Sequence, residues 1–138
     1  MGTWASGPFD NDVAADWSGE LDDASAPARV ELIRVTLAQA ADETGYLDAG
    51  VATSAVAAAA VVASQRPGGT GLVQTAYAPD FLEAGETLAL PDDLAGLARR
   101  ALHRILGDES ELRELWEEVS KAAEWKEHLT GLDKLLAS

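Results

Sequence analysis

The most constraining feature of this chain is residues 48–64, which read DAGVATSAVAAAAVVAS and carry no charged side chain after Asp48. No side chain in this stretch is larger than valine, and its longest apolar run, within 55–63, is too short to span a bilayer. A helix that is apolar around most of its circumference is usually buried at the centre of a bundle. The sequence therefore predicts an all-α fold, a single compact bundle of five or six helices around this buried Ala/Val-rich central helix.

Apolar residues recur at helical spacing in the segments on both sides of the central helix. We predict helices over residues 11–24, 26–41, 48–64 and 91–106, and a fifth helix that opens at 108. A final stripe comprises Trp125, Leu129, Leu132 and Leu136. Either the fifth helix bends near 122–125 to include this stripe, or a sixth helix begins there.

Side chains that accept hydrogen bonds from free helical amides precede most of these segments. We expect Asn11 or Asp12 to cap the first helix, Ser25 the second and Asp48 the third. Asp108 and Glu111 have a spacing similar to that of a capping box. The pattern therefore predicts that Asp108 starts the fifth helix.

The domain prediction follows from length, because 138 residues correspond to one domain by the usual size prior. We expect residues 1–138 to form a single helical domain. Residues 1–9 are expected to be an irregular lead-in, broken by glycine and proline. Residues 65–90 are expected to be a long loop, and a connection of that length is often functional or mobile.

Charge and cysteine content exclude several classes of function. The chain has 10 Lys and Arg against 24 Asp and Glu, for a formal net charge of −14. Proteins that bind nucleic acid or membrane surfaces need a basic footprint, so we expect neither partner. No cysteine is present, which excludes disulfides, thiolate metal sites and cysteine nucleophiles. The start of the chain is acidic rather than basic and apolar, so we expect a cytoplasmic protein.

The chain has few residues that typically perform catalysis. Its two histidines are His103 and His128, and Glu124 lies one helical turn before His128. That pair lacks a third metal ligand, and an exposed helical ion pair explains it equally well. Nucleophile-elbow and phosphate-loop motifs are both missing from the sequence. We expect no catalytic residues, no cofactor and no metal ion.

The N-terminal region has a dense acidic cluster, with no Lys or Arg between its members: Asp10, Asp12, Asp16, Glu20, Asp22 and Asp23. Three of them are four residues apart, and like charges at that spacing on one helical face repel. Four explanations are open. The carboxylates are simply solvated and cap the helix; they face a basic partner; they pair with Arg29, Arg34 or Arg113; or they hold a hard cation.

The beginning of the chain also resembles a known family. Its motif is Met1-Gly2-Thr3-Trp4, then Gly7-Pro8-Phe9-Asp10-Asn11-Asp12, then Ala14-Ala15-Asp16-Trp17. The Ala/Val-rich helix, and residues 110–116 with Trp125 after them, are similar as well. The sequence resembles a small bacterial family catalogued as domain of unknown function 4259. The resemblance implies a compact single-domain protein and brings no activity, substrate or catalytic residue.

These observations lead to two hypotheses of function. The first is a non-enzymatic interaction protein, in its most concrete form an immunity-like inhibitor of a basic protein. The alternative is a small metal-assisted hydrolase that uses the N-terminal carboxylates. Leu135 and Leu136 in the last stripe leave open a monomer or a homodimer. The N-terminal motif is either a structural signature or a binding site whose candidate residues are Trp4, Asp10, Asn11, Asp12, Asp16 and Glu20.

Overall fold

Six α-helices account for 81% of residues 12–66, 90–118 and 122–137, the residues that the computed structural model describes. The helices are α1 (Asp12–Asp23), α2 (Ala26–Ala41), α3 (Ala49–Ser64), α4 (Asp93–Leu106), α5 (Glu111–Glu117) and α6 (Ala122–Ala137). This confirms the predicted all-α bundle. The predicted lead-in over 1–9, and the predicted loop over 65–90 apart from residues 65, 66 and 90, lie outside the described residues.

Helix α3 is the centre of the bundle. It packs against each of the other five described helices. From Ala52 to its end at Ser64, every residue except the half-buried Ser54 is buried. Its alanines allow the surrounding helices to approach closely, so the composition of residues 48–64 determines the arrangement of the fold.

The helix boundaries agree closely with prediction in the first half of the chain. The Ser25 hydroxyl accepts a hydrogen bond from the amide of Ala28, and Asp48 accepts hydrogen bonds from the amides of Gly50 and Val51. Helix α4 begins at Asp93 rather than at 91, and Asp92 makes no capping hydrogen bond through its side chain.

The prediction for the start of α5 is wrong. Ser110, not Asp108, is the N-cap residue, and its hydroxyl accepts a hydrogen bond from the amide of Arg113. The side chain of Asp108 is fully exposed instead. The chain turns at Glu109, so the helix starts two residues later than the spacing of acidic residues indicates. Helix α6 is separate and begins at Ala122, which settles the choice between a bent fifth helix and a sixth.

Two loops meet at one end of the bundle. The loop between α2 and α3 and the loop between α4 and α5 form an isolated parallel β-bridge between Leu47 and Ser110. Both residues are buried. Loops far apart in sequence are therefore fixed against each other beside the N-terminus of α3.

The remaining apolar stripes form the core around α3. On α4 the stripe buries Leu94, Ala98, Ala101, Leu102 and Ile105. Leu136 is buried and Leu135 packs half-buried against the same core, so both serve the bundle itself.

None of the described helices combines the length and apolarity that a membrane-spanning segment needs.

Candidate functional site

The predicted binding residues fall mainly at or beyond the edge of the described structure. Trp4, Asp10 and Asn11 lie outside the described residues. Their predicted role in capping or binding therefore stays a prediction. Asp12 begins α1, and its side chain is not among the described ones. Asp16 and Glu20 are exposed on the outer face of that helix. The structure thus places two of the six candidates, both on the surface.

Pairing with arginines, one of the four explanations for the acidic cluster, is not observed for Asp16 or Glu20 among the described residues. Arg29 donates to the carbonyls of Leu21 and Asp22 at the end of α1. Arg34 pairs with Asp93, and Arg113 pairs with Glu117 and Asp108. No ion pair between described residues includes Asp16 or Glu20. Within the same ranges, no group of three or more His, Asp and Glu side chains is placed to hold a metal ion.

A second acidic surface lies where the two loops meet. It is formed by the exposed side chains of Tyr46, Asp108, Glu109, Glu114 and Glu117, and we call it the junction surface. Tyr46 is 53% exposed, the largest exposed fraction among the large apolar side chains of the described residues. Its hydroxyl donates a hydrogen bond of 2.7 Å to Oε1 of Glu114 on α5. The ring is thereby held in place among carboxylates.

The electrostatic environment of Tyr46 is strongly negative. The hydrogen bond to Glu114 raises the pKa of Tyr46 to about 12, and desolvation and the charges of Glu114, Glu111 and Glu118 act in the same direction. A phenolate would lose the hydrogen bond and be repelled by these carboxylates. The phenol is therefore neutral and a fixed hydrogen-bond donor across the physiological pH range.

Hydrogen bonds of the backbone join the two loops that carry the junction surface. The amide of Leu47 donates to the carbonyl of Glu109 at 2.8 Å, and the amide of Glu111 donates to the carbonyl of Leu47 at 3.0 Å. The Glu111 carboxylate accepts a hydrogen bond of 2.8 Å from the amide of Ala49 at the start of α3. These contacts connect the surface to the central helix.

Arg104, in the last turn of α4, completes this framework. Its Nε donates to the carbonyl of Glu43 at 3.0 Å, and Nη2 donates to that of Gly45. Nη1 donates to the carbonyl of Asp108 at 2.9 Å, and both Nη atoms lie at longer range, 3.4 to 3.5 Å, from that of Glu109. One guanidinium group therefore binds four carbonyls from the two loops.

The backbone of Glu109 is in the left-handed region, with φ of 54°. It is the one non-glycine residue with positive φ among the described residues. This conformation costs on the order of 1 kcal/mol for a residue with a β-carbon. It directs the Glu109 carbonyl toward Leu47 and Arg104, while the carboxylate stays exposed.

A shallow cleft of about 190 Å³ runs along the α5 side of the junction surface. Arg113 lies in it and donates to the carbonyls of Leu106 and Gly107, which ties the end of α4 to α5. Glu117 accepts hydrogen bonds from Lys126 and Arg113, and these lower its pKa despite partial desolvation. Arg113, the cation that lines the cleft, is thus engaged with the protein itself.

The two histidines lie on different helices, His103 on α4 and His128 on α6. His103 is exposed and lies 3.2 Å from Asp133, which also accepts a hydrogen bond of 2.9 Å from Arg99. Burial raises the pKa of Asp133, but the hydrogen bonds and charges of Arg99 and His103 outweigh it, and the net pKa is lowered. This cluster joins α4 to α6. His128 and Glu124 are both exposed on α6.

The junction surface is not among the sites predicted from the sequence. Tyr46 lies in the segment Asp42-Glu43-Thr44-Gly45-Tyr46-Leu47-Asp48, where an aromatic residue among acidic and turn residues is a usable local signal. Nothing local reveals that this segment meets residues 107–110, more than fifty positions later. Arg104 reads in sequence as one more charged residue on the outer face of a helix.

Comparison with models of known families gives a match over most of the chain. The sequence model of the family described as domain of unknown function (DUF4259) matches residues 2–128. Searches of curated proteins and of solved structures gave no significant match. The family match covers most of the chain, including all of α1 to α5. It agrees with the resemblance of the N-terminal motif, and the chain therefore belongs to the DUF4259 family.

Proposed function

We propose that this protein is a non-enzymatic interaction module that binds a basic partner protein through its junction surface. The observation that carries the proposal is the exposed ring of Tyr46, fixed by its hydrogen bond to Glu114 within a group of carboxylates. Tyrosine is enriched among the residues that contribute most to binding energy at interfaces. Its ring also attracts cations through its π face.

The charge distribution supports a cationic partner. The net charge of −14 creates a negative field that would accelerate association with a basic surface, most strongly at low salt. Several arginines already form ion pairs on the surface of the protein, including Arg34 with Asp93, Arg99 with Asp133 and Arg100 with Asp42. Exposed carboxylates such as Asp108 and Glu109 therefore dominate what the junction surface presents to a partner.

The chemistry of the surface also indicates what a partner would contribute. Lysine or arginine side chains would meet Asp108 and Glu109 around the rim, and one of them would stack on Tyr46. Arginine is the better fit, because its planar guanidinium binds carboxylates in a bidentate manner and stacks on aromatic rings. An immunity-like inhibitor of a cationic toxin is the form of this function that we favour.

The test compares two acidic surfaces at equal net charge. The junction variant Asp108→Asn/Glu109→Gln and the α1 variant Asp16→Asn/Glu20→Gln each remove two negative charges. Their affinities for a fluorescently labelled oligo-arginine peptide are measured at low and at physiological ionic strength, together with that of Tyr46→Ala. We expect the junction variant and Tyr46→Ala to weaken binding by about tenfold, and the α1 variant to have a much smaller effect.

Two results would contradict the proposal. Equal losses in the two double variants, with no effect of Tyr46→Ala, would mean that the peptide responds to net charge alone. A larger loss in the α1 variant would place binding on the outer face of α1. Thermal melting of the parent with chelator and with magnesium or calcium, at matched ionic strength, tests the alternative of a metal-assisted hydrolase. Only that alternative requires a metal-dependent shift of the melting temperature that disappears when Asp16 and Glu20 are neutralised.

A further inference from the structure

Arg104 is the residue whose contacts best explain how the junction surface keeps its shape. Its five N–H groups are directed at four backbone carbonyls, those of Glu43 and Gly45 in one loop and those of Asp108 and Glu109 in the other. Guanidinium is the side-chain group whose donors form a rigid planar fork of this kind. The donors are thus occupied by the protein's own backbone.

The carbonyls that Arg104 binds belong to the residues that carry the surface or to their immediate neighbours. Gly45 precedes Tyr46, while Asp108 and Glu109 present their carboxylates from the opposite loop. Without the Arg104 side chain, the loops would be joined mainly by the hydrogen bonds between Leu47 and its partners Glu109 and Glu111.

We infer that Arg104 is a positioning residue for partner binding: it holds the loop of Tyr46 and the loop of Asp108 and Glu109 in one fixed surface. This inference rests on the proposed function of that surface. Arg104 acts through the carbonyls of the two loops and not by touching the partner. Binding therefore depends on the geometry of the guanidinium and not only on its charge, and a lysine at this position fails to replace it.

The experiment uses Arg104→Lys, which keeps the charge, and the matched control Arg100→Lys, one helical turn earlier. Arg100 makes an exposed ion pair with Asp42 and bridges no loops in the described structure. Hydrogen exchange is followed at the amides of Leu47 and Glu111, which join the two loops, and at buried amides of α3. Affinity is measured with the oligo-arginine peptide, in the parent background and in the Tyr46→Ala background.

We expect Arg104→Lys to accelerate exchange at Leu47 and Glu111 by about tenfold, to leave exchange in α3 unchanged, and to weaken peptide binding by about fivefold. Arg100→Lys should change neither quantity appreciably. A residue that acts by positioning Tyr46 loses most of its effect once Tyr46 is absent. The loss of affinity from Arg104→Lys should therefore be much smaller in the Tyr46→Ala background.

The possible failures are distinguishable. If exchange at Leu47 and Glu111 is unchanged in Arg104→Lys, Arg104 does not hold the loops and the inference is wrong. If exchange accelerates but Arg104→Lys binds the peptide like the parent, while Tyr46→Ala still weakens binding, the inference is wrong and the proposed function stands. If Tyr46→Ala and the junction variant also bind like the parent, the proposed function fails and the role of Arg104 in binding fails with it.

Discussion

The indole Nε1 of Trp17 donates a hydrogen bond of 2.9 Å to Oγ1 of Thr36 in the interior of the bundle. The Thr36 hydroxyl in turn donates to the carbonyl of Leu32 at 2.7 Å. Both side chains are buried, and each has the partner that its polar group needs. The pair joins α1 to α2, and it orients the helix that carries Asp16 and Glu20.

Thr36→Val therefore has a specific expected cost. The substitution preserves shape but leaves the Trp17 N–H buried without an acceptor, which should lower the free energy of unfolding by about 1–3 kcal/mol. Chemical denaturation measures this loss. The double variant Trp17→Phe/Thr36→Val removes both polar groups and serves as the control. If the hydrogen bond contributes to stability, the double variant loses less unfolding free energy than the sum of the losses in Thr36→Val and Trp17→Phe.

The central position of α3 gives a second prediction. Val61→Asp would place an unpaired charge among closely packed helices, and it should cost several kcal/mol in unfolding free energy or prevent folding. Val35→Asp introduces the same change on α2, where Val35 is 43% exposed. We expect this control to stay within about 1 kcal/mol of the parent. Similar melting of the two variants would show that α3 is not the buried core of the bundle.

The fold could be predicted from sequence because its determinants are local. Residues 48–64 combine a capping aspartate with an uninterrupted run of small apolar side chains, and that pattern alone implies a buried helix. Ser25 before Pro27 similarly marks the start of α2. The start of α5 was mispredicted because the choice between Asp108 and Ser110 depends on the turn at Glu109. That turn is stabilised by Leu47 and Arg104 in other parts of the chain.

The junction surface could not be predicted, because it exists only after two distant loops meet. Acidic residues near Tyr46 and near Glu114 look in sequence like ordinary solvated charges. The N-terminal cluster is visible in sequence because no Lys or Arg interrupts it and three of its acids are four residues apart along one predicted helix. Spacing along a helix is visible in sequence, whereas a contact between residues 46 and 114 is not.

Titration of Tyr46 provides a third prediction. The pKa of about 12 lies above the ordinary value of 10.0, so the neutral phenol is favoured by the folded state. The resulting contribution to stability is complete below pH 10 and is lost as the pH rises from 10 through about 12. Absorbance of the phenolate, recorded in a Tyr77→Phe background that leaves Tyr46 as the one tyrosine, measures the pKa directly.

The matched control for this titration is Glu114→Ala. Alanine removes both the hydrogen-bond acceptor and the charge of Glu114, so the pKa of Tyr46 should fall toward 10. Asp16→Asn removes a charge from α1 and should leave the titration unchanged. A parent midpoint near 10 would mean that Tyr46 is not held against Glu114 in solution.

Glu109→Gly separates stability from binding at a single residue. Glycine adopts the left-handed backbone of residue 109 without the steric cost of about 1–2 kcal/mol, but it adds about 0.5–1 kcal/mol of conformational entropy to the unfolded chain. The free energy of unfolding should therefore rise by roughly 0.5–1 kcal/mol in chemical denaturation. Glu109→Ala keeps the β-carbon, so it should give no such increase.

Both variants remove the exposed carboxylate, and under the proposed function both should bind the oligo-arginine peptide more weakly than the parent. This opposition between fold and binding is expected where a strained residue is retained for its side chain. If Glu109→Gly is more stable and binds as well as the parent, the Glu109 carboxylate has no part in recognition, and the binding surface must be centred on Tyr46 and Glu114 instead.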